Sequence, residues 1–171
     1  MENTYLSSGI KINTKKYTTF DYISIIIGFI GILLCGLCLF IPYAKETTTI
    51  VRLSNNANNS TLSTTSYTIL NSSIWVIIIF SILLIASMFI YIMAIHKLGF
   101  FQIAIGFSII TLITHVYNDL KNNIQTSGGE LMHKISREPS FILIIIGGSL
   151  IAISGMMLLS NVMIKSTNNY N

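Results

Sequence analysis

Apolar residues fall in four long blocks, at residues 20–42, 74–96, 99–117 and 140–164, with polar segments between them. At 1.5 Å per residue, about twenty helical residues cover a hydrocarbon core of roughly 30 Å, so each block is read as a membrane-spanning helix. Tyr17, Phe20 and Tyr22 flank one end of the first block and Tyr43 the other, and Trp75 opens the second, as in an aromatic belt. His96, Lys97, Leu98 and Gly99 form a tight turn, which makes spans two and three antiparallel neighbours. Residues 43–73 contain two Thr-rich, β-prone runs around Asn55, Asn56, Ala57, Asn58 and Asn59, a pattern that predicts a β-hairpin outside the membrane. Residues 118–139 are broken by Gly128 and Gly129. Beyond them, Leu131, Met132 and Ile135 have helix-like spacing and predict a short amphipathic helix on the membrane surface.

The expected fold class is therefore an all-α membrane protein, a bundle of four transmembrane helices with a small extracytoplasmic β-hairpin cap. Residues 1–19 form a cytoplasmic tail and residues 20–171 a single four-span domain. Of the 171 residues, 52% are hydrophobic and 9% charged. That excludes a disordered chain, and it argues against a soluble enzyme domain, which needs a charged surface. The net charge of +4 does not imply nucleic acid, because the basic residues are scattered along the flanks of the apolar blocks.

Orientation turns on those same residues. With the N-terminus inside, Lys11, Lys15, Lys16, Lys97 and Lys165 lie on the inner side, and Lys45, Arg52, Lys121, Lys134 and Arg137 on the outer side. The inner segments are shorter and so denser in positive charge, and Lys15 and Lys16 flank the usually dominant first helix. The expectation is a multi-pass plasma-membrane protein with both termini cytoplasmic and both long loops outside.

Small residues mark where spans approach each other in lipid, where burial alone does not hold helices together. Ser24, Gly28, Gly31, Cys35 and Cys38 lie on one face of the first span. Gly148, Ala152 and Gly155 lie on one face of the fourth, with Gly147 beside them, and Gly106 lies in the third. These faces are expected to pack inside the bundle; the alternative is that one faces outward as a dimer seam.

Two constellations could carry chemistry. Cys35 and Cys38 form a Cys-x-x-Cys pair, the usual redox spacing, in which one thiolate attacks and the other resolves. Their flanks, Leu34, Gly36, Leu37 and Leu39, are apolar, which disfavours a thiolate and favours a packing role. His115 with Asp119, and Glu130 with His133, could each put two nitrogen or oxygen ligands on one helical face for zinc or copper. The simpler expectation is a hydrogen-bonded His115 and a solvated Glu130–His133 pair, with no metal and no other cofactor. No acidic or basic residue falls mid-span, which argues against a pump or a proton-coupled transporter.

The pair of cysteines near the outer end of a four-span chain is similar to the membrane thiol oxidases of the disulfide-forming pathway, although their second cysteine pair has no counterpart here. Several features resemble the small tetraspan membrane proteins of low-GC bacteria. They are the basic tail, Phe40, Ile41, Pro42 and Tyr43 closing span one, the Ser/Thr-rich outer loop, Trp75, and Gly147 with Gly148. The layout is also similar to claudin-type tetraspans, without their loop Trp and paired Cys. The functional expectation is a non-enzymatic membrane protein, a subunit, anchor or immunity-type protein acting through its outer loops. Its partners would be the lipid bilayer, a membrane or extracytoplasmic protein and, in one version, further copies of itself. The alternatives are a thiol-disulfide oxidoreductase using Cys35 and Cys38, and an oligomeric pore or small-solute transporter.

Overall fold

A computed structural model describes residues 19–50, 60–92, 98–125 and 131–167. The N-terminal tail, the Asn-rich turn, His96, Lys97, Gly128, Gly129 and Glu130 lie outside the described residues. In chain order the elements are α1 (Thr19–Leu37), β1 (Ala44–Ile50), β2 (Ser60–Tyr67), a 3-10 turn (Ile69–Asn71), α2 (Ile74–Ile92), α3 (Gly99–Gln125), β3 (Leu131–Arg137) and α4 (Pro139–Thr167). Three segments, Ile74–Ile92, Gly99–Ile124 and Pro139–Ser160, are long and apolar enough to cross a membrane, while the apolar part of α1, Asp21–Leu37, is shorter.

The first helix stops at Leu37, short of the apolar block that ends at Pro42. Its last turn tightens: Leu39 N donates to Gly36 O at 3.2 Å and Phe40 N to Leu37 O at 3.3 Å. Such i to i−3 bonds satisfy terminal carbonyls while ending the helix. The third helix, in contrast, overshoots Tyr117 by eight residues. Val116 and Leu120, four apart, pack against the core, and Ile124 is half-buried one turn on, so the 3.6-residue stripe continues through a polar stretch.

Both polar loops contribute strands to one sheet. The strand order is β2-β1-β3, with β1 antiparallel to both neighbours and a bulge in the β1–β2 pairing between Thr48 and Thr49. The expected amphipathic helix at Leu131–Arg137 is thus a strand, and the expected two-stranded hairpin is a three-stranded sheet. A lone hairpin is marginal in water, and the third strand supplies the pairing it lacks.

Among the helices, α4 lies between α1 and α3, and α2 closes the ring against α3 and α1. The two α4 contacts are backbone-close. A Cβ on Gly31 would stand 2.6 Å from Gly147 O, one on Gly155 would stand 2.6 Å from Gly99 O, and one on Gly106 would collide with Gly148 O. Helix α2 is instead spaced from its neighbours by larger side chains, with Phe80 and Ile90 buried and Val76, Leu83 and Leu84 half-buried. Small residues bring α1, α3 and α4 together by close van der Waals contact, the dominant attraction where the solvent is lipid.

Candidate functional site

The sheet places a polar cluster where its two edge strands meet the central one. On β1, Ala44, Glu46 and Thr48 share one face, by the two-residue alternation of a strand. Ala44 stands opposite Tyr67 of β2, and Thr48 opposite His133 of β3. Glu46 is therefore diagonal to both Tyr67 and His133, a separation that long side chains bridge. Tyr67 Oη donates to Glu46 Oε2 at 2.6 Å, and His133 Nδ1 lies 2.8 Å from Glu46 Oε1. A carboxylate only accepts, so Nδ1 carries the proton and donates. Thr48 Oγ1 lies 3.2 Å from the same nitrogen. The Glu46 and His133 side chains are only 13% and 19% exposed, so these are shielded bonds.

The electrostatics follow. The Tyr67 hydroxyl, then His133 and Thr48, hold the Glu46 carboxyl below its usual range against the opposing effect of burial. Reciprocally, the bond to Glu46, then burial and negative charge nearby, push the Tyr67 phenol up to about 12. In a catalytic triad the acid and the nucleophile use opposite ring nitrogens of the histidine. Here Glu46 and Thr48 both address Nδ1, so no relay runs from the hydroxyl through the ring. The cluster ties three strands together.

A second set of contacts fixes the sheet to the helices. Tyr43 N donates to Tyr67 O at 2.9 Å, and Glu138 N donates to Tyr43 O at 3.1 Å. Ser140 Oγ, at the start of α4, donates to Pro42 O at the exit of α1. Tyr43 Oη meets Ser72 Oγ, just before α2, at 3.4 Å, and burial moves the Tyr43 phenol up. The Arg137 guanidinium stands 4.9 Å from the Tyr117 ring centroid and 4.8 Å from that of Phe141, a double cation–π contact joining β3, α3 and α4.

The residues singled out from the sequence take these places. Cys35 and Cys38 are free thiols, 0% and 1% exposed. Cys35 Sγ points to Ile144 O at 3.8 Å and fills the α1–α4 contact beside Gly147, where a Cβ would come within 2.6 Å of the sulfur. His115 and Asp119 pair with each other at 3.3 Å on the exposed side of α3. His133 pairs with Glu46 and not with its sequence neighbour Glu130, which lies outside the described residues. Among the described residues, no three His, Cys, Asp or Glu side chains converge to hold a metal. Ser24, Gly28, Gly31, Gly106, Gly147, Gly148, Ala152 and Gly155 are all buried.

Two buried polar links between helices had no sequence signal beyond the residue types. Ser87 of α2 and Gln102 of α3, both 0% exposed, exchange bonds: Ser87 Oγ donates to Gln102 Oε1 at 2.8 Å, and Gln102 Nε2 donates to Ser87 O at 2.9 Å. Tyr91 Oη of α2 donates to Ser154 Oγ of α4 at 2.7 Å, which donates on to Ser24 O of α1 at 2.7 Å. Gly28 makes this possible, since a Cβ there would overlap the Tyr91 hydroxyl. These groups spend their hydrogen bonds on one another and act as glue between helices. The chain matches no family model and no curated protein sequence.

Proposed function

We propose that this is a non-enzymatic, four-span plasma-membrane protein that presents its three-stranded sheet to a protein partner on the extracytoplasmic side, both termini being cytoplasmic. In this reading α1, together with the apolar turn Cys38–Ile41, makes the fourth crossing. The observation that carries the proposal is the sheet itself. Residues from two loops 87 positions apart in sequence, Glu46 and His133, lock it, and Tyr43, Ser140 and Arg137 fix it to the helix ends. A linker between spans needs neither device. Among the described strand residues, the face opposite the Glu46 cluster carries Lys45, Thr47, Thr64, Ser66, Lys134 and Ser136, hydroxyls with two ammonium groups. It suits a partner rich in hydrogen-bond acceptors or acidic side chains.

The test is native mass spectrometry of the protein extracted gently from its own membrane, as the native chain and with Thr64→Glu and Lys134→Glu. Both positions are exposed, so the sheet tolerates the change. A second protein retained by the native chain and lost from the double variant is the expected result. The 19.0 kDa chain without any second protein, or a partner that both forms keep, overturns the reading. An impermeant thiol reagent applied to intact cells reads the topology: Thr64→Cys should label from outside.

A further inference from the structure

The two edges of the sheet are built differently. Strand β3 is guarded. Helix α3 packs against it, Arg137 reaches from it over the Tyr117 and Phe141 rings, and Lys134 adds a second charge. Cover and charge are the usual devices that keep an edge from pairing. Strand β2 differs. Its residues, Ser60–Tyr67, include no charge and no proline, and Ser63, Thr64, Thr65 and Ser66 are all exposed. The bulge lies on the far side of Ser63 from the membrane, so residues 63–67 keep an unbroken register with residues 44–48.

An edge strand turns every second N–H and C=O away from its sheet. Residues 63–67 therefore offer a backbone template about 17 Å long. Short hydroxyl side chains at 63–66 leave the approach to it open. Direction narrows what can pair there. Tyr67, Ala44 and Arg137 form one row across the sheet, at the end fixed to the helices, so β2 runs towards the membrane and β1 away from it. A second copy in the same bilayer is related by a two-fold rotation about the membrane normal. That rotation keeps height and strand direction, so each outward N–H would meet another outward N–H. The edge is not complementary to itself.

On the reading that the sheet meets a protein partner, we propose that residues 63–67 of β2 are a strand-addition site. The site takes an extended segment of a different protein, antiparallel to β2 and rising from the membrane surface. Main-chain hydrogen bonds hold the segment, and Lys45 sets its chemistry. Lys45 stands opposite Ser66 on the same face, and neighbouring strands are about 5 Å apart. An acidic side chain facing Ser66 from the added strand reaches over the serine to the Lys45 ammonium group. The segment is thus one with an acidic residue at its membrane end and uncharged residues above it.

The full chain in detergent micelles, carrying Asn71→Cys, tests this. Asn71 is exposed and follows β2, and the native cysteines are buried, so a thiol-reactive peptide attaches there alone. The probe is the sequence of β1, AKETTTI, behind a cysteine and a short glycine linker, because that sequence already pairs antiparallel with β2. Hydrogen exchange is read amide by amide. The peptide should slow alternate amides within residues 63–67 by about tenfold or more, and the same peptide with its threonines replaced by proline should slow none. Equal exchange with the two peptides refutes strand addition. Native mass spectrometry of the same variant, extracted gently with its partner, separates this from the broader reading of the sheet. Release of the partner by the threonine peptide and not by the proline peptide is the expected result. A partner that stays with both binds elsewhere on the sheet; it refutes strand addition and leaves the broader reading standing. If neither sample holds a partner, the broader reading fails and the exchange comparison alone decides the edge.

Discussion

Replacing Glu46 with Gln isolates the charge at the centre of the sheet while keeping the side chain's shape. The native carboxylate accepts from Tyr67 on one oxygen and His133 on the other. An amide accepts on one side only and turns an NH2 group towards the second donor. One charge-assisted bond is lost and the other weakened. Hydrogen bonds to a charged partner contribute about 1.5–3 kcal/mol, and the residual exposure of the pair lets water recover part of that. The expected loss is about 2 kcal/mol, which raises the open population of the cap by a factor of about thirty. Amide hydrogen exchange of residues 44–50, 60–67 and 131–137 reads it directly, with α4 as the unchanged reference. The pH dependence has a definite sign at each end. The Glu46 carboxyl is held low, so its contribution is full above the ordinary glutamate range and fades as pH falls through the folded value. The Tyr67 phenol is held high, so its contribution is full below the ordinary tyrosine range and fades as pH rises through about 12. In Glu46→Gln the tyrosinate absorbance of Tyr67 should move back towards its ordinary midpoint. Exchange within threefold of native in that variant, with an unmoved Tyr67 titration, would falsify the account of the cap.

The remaining expectations concern the helices. Gly106→Leu should lower stability by about 3 kcal/mol, since even its Cβ would press on Ala152 N at 2.7 Å and Cβ at 2.9 Å; Phe107→Leu, one residue along and facing out, should leave a denaturation midpoint in detergent unchanged. Gln102→Leu removes both links to Ser87, but the serine hydroxyl can turn to a carbonyl of its own helix, so the expected loss is only about 1 kcal/mol by the same denaturation assay. Cys35 and Cys38 should resist a membrane-permeant maleimide in the folded protein and react once it is denatured; prompt labelling would restore a redox role for the pair.

Helices α2, α3 and α4 were legible because runs of apolar residues longer than a bilayer have few other fates in water. The Thr-rich strands were legible from β-branching and local turn chemistry. Strand β3 was not. Leu131, Met132 and Ile135 fit a helical stripe, but the alternation of His133, Ile135 and Arg137 with Lys134 and Ser136 fits a strand equally well. Only pairing with β1, more than eighty residues earlier, decides between them. The same distance hid the partner of His133. Sequence proximity suggested Glu130, whereas the sheet register brings in Glu46. The polar tail of α3 was hidden for a different reason. Asn118–Gln125 has the composition of a loop, and it stays helical because Val116 and Leu120 continue the apolar stripe that packs against the core. Asp21 and Gln102 sit at the ends of their spans by sequence, yet the fold buries both, because neighbouring helices cover those ends.

The glycine contacts of α4 have a consequence for biosynthesis. Ribosomes deliver a chain from its N-terminal side, and the helix that both α1 and α3 grip is made after both of them. Until it enters the bilayer, Gly31 and Gly106 face lipid or another protein's helix, and β1 waits for β3, which is synthesised just before α4. Strand β3 and helix α4, adjacent in sequence, thus complete two half-built structures at once, one in the membrane and one above it. A chain that stalls before Pro139 leaves the ribosome with its closest-packing helix surfaces, at Gly31 and Gly106, uncovered.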